Sequence, residues 1–101
     1  MSDPAVEIWR QHLRLTILRV LAQFPDVSAN ESILHDAVKA RMIRADRNQV
    51  RKEIEWLAKQ ELVTSQDLDG LMLAMATERG CEVAQGTAVH PGVKRPSASK
   101  R

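Results

Sequence analysis

The sequence predicts a mainly α-helical domain closed by a small antiparallel β-hairpin, the layout of a winged helix-turn-helix. Three observations predict it. Three successive segments repeat apolar residues at spacings of three and four. The second and third are joined by a short connection, and an Asp-Gly pair follows between two partly alternating apolar runs. At 101 residues the chain is one domain's worth, and a domain this small buries only roughly 60 to 70% of its unfolded surface. Apolar residues are 44% of the total but aromatics only 3%, so the core must be aliphatic, with Trp9, Phe24 and Trp56 as its few large pieces.

The first helix opens with Asp3 as N-cap and Pro4 at the first helical position, where its missing N–H costs nothing. Val6, Trp9, Leu13, Ile17, Val20 and Phe24 form its core stripe, and Pro25 stops it. Ile8, Leu15, Leu18 and Ala22 occupy a second sector. A helix apolar on two sides needs two partners, so this patch meets either the last helix of the same chain or a second copy in a two-fold dimer. The second helix is capped either by Ser28, with Glu31 in capping-box spacing, or by Asn30. Ile33, Leu34, Ala37, Val38 and Met42 form its buried face. In the third helix, over residues 46 to 60, Asp46 and Gln49 have capping-box spacing and Val50, Ile54 and Leu57 face inward. Asp69-Gly70 is a strong type I′ signal, giving a hairpin over residues 62 to 77. Thr77 caps a brief last helix to residue 85. Residues 86 to 101, rich in Gly, Pro, Ser and basic charge, form a tail expected to be disordered in isolation.

The net charge of +2 is unevenly spread. Residues 1 to 85 carry 11 basic and 13 acidic residues, whereas the tail carries Lys94, Arg95, Lys100 and Arg101 with no acid. Within residues 39 to 52, six bases face Asp46 alone; residues 61 to 78 hold four acids and no base. The third helix turns Arg47, Asn48, Arg51, Lys52 and Glu55 outward. Arg and Asn suit base edges in a major groove ~12 Å wide, and a helix N-terminus attracts phosphate. Arg47, Asn48 and Arg51 are therefore the candidates for base edges; Arg41, Arg44 and Lys52 are the candidates for backbone phosphates, joined by the four tail bases. Glu53 and Glu55 oppose this unless they accept from a cytosine amino group or pair internally with Lys52 or Lys59.

In "LRLTILRVLAQFP", "ANESILHDAV", "DRNQVRKEIEWLAKQELV", "DGLMLAMATERGCEVAQG" and "HPGVKRP", the chain resembles a family of small proteins encoded by transposable, Mu-like bacteriophages and prophages. Those proteins are in turn similar to bacterial regulators of the arsenic-repressor type. The resemblance covers about residues 3 to 96. It implies a winged-helix fold and expression in a bacterial host; the transcriptional-regulator label such proteins often carry is an analogy from fold, and the resemblance supplies no partner, operator or chemistry.

An enzyme is not expected. The sequence contains no glycine-rich phosphate loop, nucleophile elbow or paired metal ligands. Cofactor and metal are expected to be absent, since Cys81 is the sole cysteine and His12, His35 and His90 lack ligand spacing. The lone cysteine and the lack of a membrane-length apolar run fit a reducing cytoplasm and no membrane contact. The partner expected is double-stranded DNA, read by a dimer whose recognition helices lie about 34 Å apart. The rival is a host or phage protein bound through the hairpin, where Leu68, Leu71 and Met72 lie among acids.

Overall fold

A computed structural model describes residues 3 to 97. It contains four α-helices, α1 (Pro4–Gln23), α2 (Glu31–Ala40), α3 (Arg47–Lys59) and α4 (Glu78–Gln85). Strands β1 (Ser28–Asn30), β2 (Val63–Leu68) and β3 (Leu71–Ala76) form an antiparallel sheet in the order β1-β3-β2.

The Asp3 side chain accepts from Ala5 N at 2.8 Å, with Pro4 at the first turn. Leu13, Ile17 and Val20 are buried as their stripe requires. The stripe fails at its start, where Val6 is exposed. Leu15 and Leu18 are 5% and 0% exposed, and α1 packs along α4. The second apolar sector is thus covered by the chain itself. Leu15 and Leu18, expected as dimer contacts, are buried within the chain; Ala22 is half-buried against the core, and of the four only Ile8 stands exposed.

Asn30 is the cap of α2, accepting from Ile33 N at 2.9 Å. Ile33 and Met42 fall outside the buried face, which is Leu34 and Val38 with Ala37 at its edge. Met42 lies just past the end of α2 at φ 67° and is 91% exposed. Ile43 N donates to Val38 O at 3.2 Å and Met42 N to Lys39 O at 3.0 Å, the Schellman pattern, in which a glycine is the usual occupant of the left-handed position. A side chain there costs about 1 to 2 kcal/mol, and Met42 recovers little by packing. Met42→Gly is therefore expected to raise stability by about 0.5 to 1 kcal/mol, after the entropy of a new glycine is subtracted. A urea midpoint that fails to rise would remove the strain assigned to this turn.

The hairpin forms as the Asp-Gly pair requires. Asp69 and Gly70 both have positive φ, 54° and 84°, and the register runs from Leu68↔Leu71 to Val63↔Ala76. Met72, Ala74 and Ala76 face the core. β1 was not legible beforehand: "SAN" is too short and polar to show alternation, yet it pairs with β3 from Ser28↔Met75 to Asn30↔Leu73 and makes β3 the central strand.

Residues 86 to 97 correct the expectation of a disordered tail. Gly86 at φ 88° turns the chain back after α4, and Thr87 N donates to Glu82 O at 3.0 Å. Val93 is 5% exposed, and Lys94 N donates to Gln11 O at 3.1 Å. Composition points to disorder, but the buried Val93, the Pro91-Gly92 turn and bonds that tie Gly92 O to Arg14, His90 to Gln60 and Lys94 N to Gln11 O dock the segment. Lys100 and Arg101 lie outside the described residues. No helix among the described residues is long and apolar enough to cross a membrane.

Candidate nucleic-acid interface

The outer face of α3 is set by what its inner face buries. Val50, Ile54 and Leu57 are fully buried, which forces Arg47, Asn48, Lys52 and Glu55 to solvent. The helix starts with a complete capping box: Gln49 N donates to Asp46 Oδ1 at 2.8 Å, and Gln49 Oε1 accepts from Asp46 N at 2.9 Å. Asp46 is the only acid among residues 39 to 52, and its carboxylate is engaged with the backbone.

The base-edge candidates separate. Asn48 is exposed, with no side-chain hydrogen bond among the described residues. Arg47 is half-exposed, its Nε 3.5 Å from Glu31 Oε1. Arg51 is committed inside the chain: Nη1 donates to Glu31 Oε2 at 2.6 Å and to Gly70 O at 3.3 Å, and Nη2 to Asp67 Oδ2 at 3.2 Å. Arg51 is therefore corrected from a base reader to a tie between α3, the start of α2 and the hairpin turn. Glu31 explains why. Its carboxylate is buried and also accepts from Met72 N at 2.6 Å, so it needs cationic partners to offset desolvation. Its only signal in the sequence was capping-box spacing.

Among the phosphate candidates, Lys52 is exposed and makes no ion pair among the described residues. Arg44 is exposed, while its backbone carbonyl accepts from Trp9 Nε1 at 3.2 Å and so anchors the α2–α3 connection to α1. Arg41 donates to Gln23 Oε1 at 3.1 Å across the surface. In the tail, Lys94 Nζ donates to Arg95 O at 3.1 Å, and Arg95 is exposed.

Glu53, expected to weaken the face or to pair with Lys52 or Lys59, does neither. It is 7% exposed and points into the α1–α3 seam, where Arg14 Nε donates to Oε1 at 2.7 Å and Arg10 Nε lies 4.0 Å from Oε2. Arg14 is itself buried, lies 3.8 Å from the centre of the Trp56 ring and donates to Gly92 O at 2.9 Å. Only Glu55 remains as an acid on the outer face of α3. The hairpin keeps its acidic tip, though Asp67 is neutralised by Arg51. Of its apolar residues, Met72 is core, Leu71 half-buried and Leu68 exposed.

The chain is 44% identical over 90 residues to the protein gp26 of Escherichia phage Mu, an alignment covering 89% of this chain and 93% of that one. The chain belongs to the gp26 family of Mu-like phages. A protein of Haemophilus influenzae strain Rd is 39% identical over 74 residues, 72% of each chain. No protein-family profile matches the sequence. Among the described residues, no three His, Cys, Asp or Glu side chains are grouped to hold a metal ion.

Proposed function

We propose that this gp26-family protein is a winged-helix protein that binds double-stranded DNA, with α3 in the major groove, and acts as a small transcriptional regulator. The order helix, strand, two helices and hairpin supports the winged-helix reading. The observation that carries DNA binding is the exposed basic run Lys39, Arg41, Arg44, Arg47 and Lys52, whose one acid is occupied as the α3 cap. Arg47 and Asn48 meet base edges; Arg41, Arg44 and Lys52 set the register on phosphates. Lys94 and Arg95 are further phosphate contacts. A dimer, if it forms, uses a surface other than the α1 sector buried by α4.

Fluorescence anisotropy on random-sequence duplex DNA across a salt series tests this. Arg44→Ala with Lys52→Ala is expected to weaken binding equally for all sequences and to lower the salt slope by about 2, one for each lost phosphate contact. Arg47→Ala is expected to cost about 1 to 3 kcal/mol at a specific site once one is selected. An unchanged slope in the double variant would reject the assignment to this face.

A second reading is a protein-interaction module that uses the hairpin and no DNA. One observation favours it: Leu68 and Met75 are exposed on a sheet face without a basic residue in either hairpin strand. Binding of that kind would change little with salt.

A further inference from the structure

The segment after α4 is held by one histidine whose protonation state is fixed by its partners. Gly92 N lies 3.0 Å from His90 Nδ1, and a backbone N–H can only donate. Nδ1 is therefore the bare nitrogen. The ring hydrogen sits on Nε2 and is donated to Gln60 Oε1 at 3.0 Å. The neutral ring is fully used, and it meets Trp56 edge to face, with centroids 5.3 Å apart.

The same turn makes the other contacts of the segment. Val93 N donates to His90 O at 3.1 Å, closing the turn through Pro91 and Gly92. Gly92 lies so close over Trp56 that a Cβ on it would sit 2.5 Å from the indole. Its carbonyl receives Arg14, and the next two residues supply the buried Val93 and the bond from Lys94 N to Gln11 O. Five consecutive residues thus dock as one unit on the α1–α3 seam.

The geometry points to residues 87 to 97 being a proton-released strap: a second proton on His90 detaches them from the seam and uncovers Trp56 and Arg14. Protonated, Nδ1 becomes a donor facing the Gly92 N–H donor at 3.0 Å, and that pair cannot persist. The charge also arrives in the wrong company. α1 presents Arg14, α4 presents Arg79, and α3 presents uncharged Trp56 and Gln60. Glu53, the carboxylate in the seam, is already bound to Arg14. Burial first, then Arg79 and Arg14, hold the His90 pKa below its ordinary value of 6.5. The sign follows. A histidine depressed in the docked state stabilises docking fully above pH 6.5, and the contribution is lost as pH falls through the lowered value.

Acrylamide quenching of Trp56 fluorescence as a function of pH, in the full chain carrying Trp9→Phe, tests the strap. Quenching is expected to rise as pH falls, with a midpoint below 6.5, while far-ultraviolet circular dichroism stays constant. His90→Asn retains an oxygen that can accept from Gly92 N but cannot take up the proton, and its quenching is expected to stay low throughout. If Trp9→Phe does not fold, the indole ¹⁵N resonance of Trp56 in the unaltered chain reads the same transition. Flat quenching in the histidine protein, an equal rise in His90→Asn, or loss of helix in the same step would each overturn the proposal.

Discussion

Glu53→Ala is expected to lower the free energy of unfolding by about 3 to 5 kcal/mol, the usual consequence of removing one member of a buried ion pair. Arg14 cannot escape to solvent when its partner is lost. The residue is 6% exposed, and its guanidinium lies against Trp56 and would keep, among the described residues, only the Gly92 carbonyl and Glu7 Oε2 at 3.6 Å. The loss is that of a stranded charge rather than of one hydrogen bond. Glu53→Gln should therefore be milder, since it retains an acceptor oxygen. Replacing both partners at once, Arg14→Met with Glu53→Leu, should recover most of the loss, because an apolar pair of similar volume has no charge left to desolvate. Urea unfolding of the three variants makes the comparison. A cost below about 1 kcal/mol for Glu53→Ala would mean that the pair behaves like an exposed one.

Gly80→Ala is expected to destabilise by about 2 to 3 kcal/mol through overpacking, although glycine to alanine within an exposed helix normally gains about 1 kcal/mol. The sign is decided by one contact. A Cβ at position 80 would sit 2.0 Å from the carbonyl oxygen of Leu62 and 3.4 Å from Leu18 Cδ2. That carbonyl is not free to retreat, because it accepts from Thr77 N at 3.0 Å at the cap of α4. Alanine must lift α4 from the start of β2 and from the Leu15 and Leu18 sector of α1 that it covers. Thermal melting reads the result, and a higher melting temperature would show that α4 rides farther from the sheet than this contact requires.

Much of the fold was legible because it rests on local chemistry. Asp3 and Asp46 as caps, the type I′ turn at Asp69-Gly70 and the stripes of α1 and α3 need only neighbours in sequence. What escaped was whatever depends on distant partners. Nothing local to "SAN" shows that it borders β3, and nothing local to Arg51 shows that Glu31 lies twenty residues back in a buried spot facing it. Periodicity assigns Arg51 to the outer face of α3 correctly, but face is not freedom. The same limit applies to the tail, where glycine, proline, serine and basic charge point to disorder although Gly92 is the residue that allows close approach to Trp56. Of the candidate site, the outward positions of Arg47, Asn48, Lys52 and Glu55 follow from the sequence. The inward turn of Glu53 does not, because it needs Arg14 from another helix.

The position of Arg51 also bears on the mechanics of the hairpin. A two-stranded ribbon is pliant by itself, and its tip would ordinarily swing. Here one guanidinium props the tip from beneath, bridging Gly70 O and Asp67 to the Glu31 carboxylate at the foot of α2. Arg47 leans on that same carboxylate. Arg47 and Arg51 meet separate oxygens of one buried carboxylate, so the first turns of α3 and the tip of the hairpin share a single anchor at the foot of α2.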